Sequence, residues 1–153
     1  MPTSGLREKP KSTVRIVATI AAILWAVLIF IGSSIPNSGF PSHPNILNVI
    51  AHFCEYLVFA VLLTLAINSP TRALWKTALI AVIIASVYAI SDEVHQYLSN
   101  IYFASGRQGD PLDWLTDTLG ALTGSAAAVW FISSQKVKKS RARDAEKKGH
   151  RNQ

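Results

Sequence analysis

The stretch from Ile16 to Ile31, IVATIAAILWAVLIFI, is apolar apart from Thr19, and no Asp, Glu, Lys or Arg occurs between Ile16 and Cys54. With Val14 and Arg15 the run measures about 18 residues, which at ~1.5 Å per helical residue nearly crosses a ~30 Å hydrocarbon core. Outward from it, three more apolar stretches follow. Ile46 to Ile67 contains His52 and Glu55 near its start, Ala73 to Ile90 carries Lys76 one turn in, and Leu112 to Ile132 holds Asp113 and Asp117 in its first two turns. Half of the 153 residues are hydrophobic and only 16% are charged, against roughly 25% in an ordinary soluble domain. That balance excludes disorder over the whole length and a soluble nucleic-acid module. A single cysteine, Cys54, excludes a disulfide framework and a thiolate zinc cluster. The predicted fold is all-α: a polytopic membrane protein built as a four-transmembrane-helix bundle, with helices at about 14–32, 46–67, 73–97 and 111–133.

The breaks between these stretches agree. Residues 33–44 hold three prolines and a glycine, residues 68–72 form a short connector with Pro70, and residues 99–110 contain Gly106 and Gly109 before Asp110-Pro111. An Asp followed by Pro is an N-cap followed by the first helical position. The basic residues orient the bundle. Arg7, Lys9, Lys11 and Arg15 precede the first helix, Arg72 and Lys76 lie between the second and third, and eight basic residues follow Gln135. Four crossings place all three groups on one side, so the positive-inside rule predicts cytoplasmic N and C termini. Residues 1–13 and 134–153 read as basic cytoplasmic tails around a membrane domain at 14–133, the second tail as a mobile anchor. Lipid contact accounts for its charge without nucleic acid, since no aromatic interleaving accompanies it. Trp75 and Trp130 are expected at the inner interface, and Tyr97, Tyr102 and Trp114 at the outer one. A cleaved signal peptide ending near Gly32-Ser33-Ser34 is the competing reading of the first run. Retention is preferred because a fourth helix lets the bundle enclose polar groups.

Those polar groups gather at the outer level: His52, Glu55, Asp92, Glu93, His95, Gln96, Arg107, Asp110, Asp113 and Asp117. Ionisable residues within membrane segments are costly and are turned inward, paired or functional. His52, Glu55 and Tyr56 share a helix face by three- and four-residue spacing, as do Asp92, His95 and Gln96, and Asp113 and Asp117. Because the second helix runs inward, its start shares a depth with the end of the third and the start of the fourth. One polar cavity is therefore expected. His52 and His95 are the proton-transfer candidates, with Glu55 or Asp92 orienting an imidazole and Glu93 in the same acid–base group. Gln96, Arg107, Asp113 and Asp117 are the ligand-binding candidates, Arg107 as a clamp for an anion. The donors suit zinc or manganese, but no His-Glu-x-x-His motif is present, so no metal is assigned and no cofactor is specified. Asp110 reads as a cap, Cys54 as a small packing residue, and Gly120-x-x-x-Gly124 as a close helix contact that also offers a homo-oligomer interface.

The segments Ser91-Asp92-Glu93-Val94-His95-Gln96, Gly106-Arg107, Asp113 and Asp117-Thr118-Leu119-Gly120-Ala121-Leu122-Thr123-Gly124 resemble the signature of the VanZ-like family of small bacterial membrane proteins. His52-Phe53-Cys54-Glu55-Tyr56 is similar to the family's second-helix motif, in which a histidine precedes Glu-Tyr. The matches span about residues 46–124. At Asp117 the chain departs from the family pattern, which often has Asn there. The resemblance implies a multi-helix membrane protein related to a founding member associated with teicoplanin resistance, and it implies no reaction. Three classes stand open: a protein that binds an amphiphilic or lipid-linked envelope ligand, an enzyme using His/acid chemistry on such a substrate, and a structural accessory bundle. Membrane lipids and an anionic or amphiphilic ligand are the expected partners.

Overall fold

The computed structural model describes residues 10–36, 46–106 and 109–151. Four helices make up nearly all of them: α1 (Pro10–Ser34), α2 (Ile46–Ile67), α3 (Leu74–Phe103) and α4 (Pro111–Arg151). Each is long and apolar enough to cross a membrane, and no strand occurs among the described residues. In hydrocarbon only a helix or a closed barrel satisfies every backbone group within the protein, so the local sequence leaves this chain one option.

The core is built from small residues. Along α3, Thr77, Ala81, Ala85 and Ala89 form a buried stripe at four-residue spacing, which Asp92 and Gln96 continue at the polar end. Ala18 and Ala22 of α1, Ala60 of α2, and Ala121 and Ala128 of α4 are also buried, whereas Ile20, Ile23, Leu28, Ile83, Val87 and Leu119 face outward. This inverts the soluble pattern. Lipid tails are as apolar as leucine, so helices associate through close backbone approach and interhelical hydrogen bonds.

The most extensive seam joins α2 to α4. Gly120 and Gly124 form its floor: a Cβ on Gly120 would run into the Phe53 carbonyl, and one on Gly124 into the Leu57 carbonyl. The surface that this glycine step offered to a second copy is thus occupied by α2. Thr64 donates to Ser125 Oγ across the same seam at 3.2 Å. The helices alternate in direction. Arg15 near the start of α1 donates to the Ala66 carbonyl near the end of α2 (3.3 Å), and Trp25 donates to the Glu55 carbonyl (2.9 Å). Arg15, Arg72 and Lys76 therefore mark one end of the bundle, and the start of α2, the end of α3 and the start of α4 meet at the other.

The structure departs from the sequence expectations at several points. Helix α3 runs on to Phe103 rather than stopping near residue 97. It ends where Ala104 turns left-handed (φ 48°) and Gly106 follows at φ 71°, with the Gly106 N–H held by Asn100 Oδ1 at 3.1 Å. Helix α4 does not end at residue 133 but continues to Arg151. Its Lys, Arg, Ala and Glu residues are strong helix formers, so the second basic tail is a helical extension of the membrane domain. Trp114 is partly buried, with its indole N–H on Ser86 Oγ at 3.1 Å. Cys54 is exposed and takes no part in packing.

Candidate functional site

Helix α4 opens as its sequence predicts. Asp110 Oδ1 accepts the Leu112 N–H at 2.9 Å, and the Asp110 carbonyl accepts the Asp113 N–H at 2.9 Å. With the start of the helix held, Asp113 and Asp117 stand one turn apart on the side facing α2. The backbone contact at Gly120 and Gly124 brings that side close enough for ionic contact with His52. The His52 Nδ1 lies 3.0 Å from Asp117 Oδ1, and its Nε2 lies 3.8 Å from Asp113 Oδ2. Asn48, one turn before His52, reaches Asp113 Oδ2 at 3.5 Å. His52 is buried and Asp117 has no exposed surface.

The third wall comes from α3. Glu93 Oε2 accepts the backbone N–H of Asp110 in a short 2.6 Å hydrogen bond that ties the end of α3 to the start of α4. Gly109 makes this approach feasible, since a Cβ there would lie 2.8 Å from the Glu93 carbonyl oxygen. One donor atom each from His52, Glu93 and Asp117 lies within 4.8 Å of the others. Beside Glu93, a groove of about 420 Å³ runs between α3 and α4, walled by Ile90, Val94, Tyr97, Pro111 and Trp114.

Not every residue expected at one cavity is there. Asp92 is there: it is buried, Gln96 Nε2 donates to its Oδ2 at 3.0 Å, and it neighbours Tyr56 and Asp117, its Oδ1 having no hydrogen-bond partner among the described residues. His95 turns to α1 instead. Its Nε2 shares a 2.9 Å hydrogen bond with Ser34 Oγ, and its ring lies 4.5 Å, centroid to centroid, from that of Phe30. The grouping of Asp92, His95 and Gln96 on one stripe placed His95 with His52, whereas the turn of α3 directs Glu93 to that cluster and His95 to the opposite seam. Glu55 is half-buried, and its backbone carbonyl receives Trp25; among the described residues, its carboxylate is not part of the compact three-donor group. Arg107 lies outside the described residues.

One residue of the site was left out of the expected set. Tyr56 is fully buried, and its hydroxyl has no hydrogen-bond partner among the described residues. Its charged neighbours are Asp117, Asp92 and Glu93. The signal was there in the sequence: Tyr56 follows His52 by four residues, on the same helix face.

A four-helix membrane bundle with a histidine held among carboxylates from two other helices, and an apolar groove beside one of them, defines a polytopic protein with a membrane-embedded polar site. The sequence model of the VanZ/LLP1 family matches residues 17–132, and the chain belongs to that family. No curated protein and no solved structure matches it. The matched span takes in every one of the site residues above.

Proposed function

We propose that this VanZ-like protein binds an amphiphilic, lipid-linked cell-envelope ligand, its apolar chain in the α3–α4 groove and its polar head at the His52 cluster. The observation that carries this reading is the groove itself: Ile90, Val94, Tyr97 and Trp114 wall it with apolar surface, and Glu93, which belongs to the polar cluster, lines it among them. A ligand that is half hydrocarbon and half polar matches such a site, since each half meets an environment of its own polarity. With the basic end of the bundle in the cytoplasm, the site faces the outer leaflet of the bacterial inner membrane. Family membership supports a link to glycopeptide susceptibility through the same envelope ligands.

The test is capture. The protein is reconstituted in phosphatidylglycerol vesicles containing a polyprenyl phosphate, with a photoreactive residue at Tyr97 in the groove or at Val87, which faces outward on the same helix. Position 97 is expected to capture the polyprenyl phosphate severalfold over its share of the lipid, and Val94→Trp to reduce that capture. Equal enrichment at 97 and 87 would reject the reading.

A second reading, acid–base catalysis on the same ligand, is favoured by one contact, the 3.0 Å approach of His52 Nδ1 to Asp117. A carboxylate on one ring nitrogen orients an imidazole so that the other nitrogen can exchange a proton. Conversion of captured lipid by wild type and its loss in His52→Gln, with capture retained, would establish the enzyme; unaltered lipid in both would leave a binding protein.

A further inference from the structure

Around His52 the structure gathers carboxylates from two other helices. Asp117 approaches Nδ1 at 3.0 Å, Asp113 approaches Nε2 at 3.8 Å, and a Glu93 oxygen lies within 4.8 Å of donor atoms of both His52 and Asp117. Setting the carboxylates of Glu93 and Asp117 close together inside a membrane protein is costly unless a countercharge joins them. Their remaining oxygens point to the same need. Asp117 Oδ2 and Glu93 Oε1 are buried with no hydrogen-bond partner among the described residues, and so is the hydroxyl of Tyr56, whose side chain has no exposed surface. Buried polar atoms are ordinarily satisfied, so unpartnered ones on the residues of one three-donor cluster call for a group that they can meet.

We propose that His52, Glu93 and Asp117 bind a divalent transition-metal ion, with Asp113 as the adjoining carboxylate. Two donors each about 2.1 Å from a zinc ion sit roughly 3–3.5 Å apart in tetrahedral geometry, close to the spacing of His52 Nδ1 and Asp117 Oδ1. One imidazole with two or three carboxylates is a nitrogen–oxygen set, suited to zinc or manganese rather than to copper(I), which thiolates and thioethers select. The ligands come from α2, α3 and α4, 24 residues apart between Glu93 and Asp117, which is why no compact metal motif appears in the chain. The inference rests on the ligand-binding reading for its purpose and deepens it. Bare carboxylates repel a phosphate head, whereas a dication beside Glu93 attracts one into the groove that Glu93 lines.

The experiment uses the full chain without an affinity tag, stripped with EDTA in detergent, reloaded with zinc or manganese chloride, desalted, and assayed for bound metal. Cobalt(II) absorption reports the ligand field. Wild type is expected to retain about one ion per chain, and Glu93→Gln or Asp117→Asn to weaken its binding at least tenfold. Both substitutions keep side-chain shape, so they serve if His52→Ala does not fold. His95→Ala, on the other seam, is expected to bind as wild type does. Retention by wild type no greater than by Glu93→Gln and Asp117→Asn overturns the proposal, as does an equal loss in His95→Ala. Polyprenyl phosphate capture at position 97 is read in parallel. Capture without metal retention overturns the metal site and leaves the ligand reading standing; metal retention without capture does the reverse.

Discussion

The α2–α4 seam and the α1–α3 seam each carry a histidine at the polar end of the bundle, and they treat it differently. Across α2–α4 two glycines bring backbone against backbone, and His52 is enclosed with Asp113 and Asp117. Across α1–α3 the contact is made by side chains: Ser34 and Phe30 on His95, and the Tyr88 hydroxyl on the Ala26 carbonyl at 2.7 Å. His52 is buried while His95 is only partly so. Where helices can approach closely, a polar group is desolvated and must find charge. Where larger side chains hold them apart, a hydroxyl and a ring face suffice. The enclosed histidine–carboxylate contacts therefore belong to the glycine seam.

The largest expected effect breaks that seam. Gly124→Ala sets a methyl against the Leu57 backbone, which cannot yield as a side chain can, and overpacking of this kind costs about 1–3 kcal/mol. Gly32→Ala in α1, where the new Cβ meets nothing within 4 Å, is expected to raise stability by about 0.5 kcal/mol through helix propensity. Thermal unfolding of the two variants in the same detergent reads the difference. Equal effects would mean that the α2–α4 approach is looser than described.

A smaller effect concerns the His52–Asp117 pair. A double-mutant cycle with His52→Ala and Asp117→Asn is expected to return a coupling of about 1 kcal/mol, within the range for groups in direct contact. The smallest is the matching cycle for His95 and Ser34. Interhelical hydrogen bonds in membranes average about 0.6 kcal/mol, and a coupling at or below that value is expected from their single 2.9 Å contact. Cycles of equal size would erase the distinction between the two histidines.

Much of this was legible along the chain. Apolar length set the four spans, because an unpaired backbone group in hydrocarbon is so unfavourable that a long apolar run becomes a helix wherever it sits. Asp110-Pro111 announced the start of α4, because a cap acts within one turn. The shared depth of His52, Glu93, Asp113 and Asp117 followed from counting residues along alternating helices. Spacing could not supply the rotation of each helix about its own axis. Asp92 and Glu93 differ by about 100° of that rotation, and packing alone sends Glu93 to the cluster and Asp92 to Gln96. The same rotation turns His95 from His52 towards Ser34. Depth is a local sum of residue rises, which the sequence carries in full. Azimuth is set by the Gly120–Gly124 contact and the alanine stripe of α3, where atoms far apart in sequence meet, and so only the tertiary structure decides it.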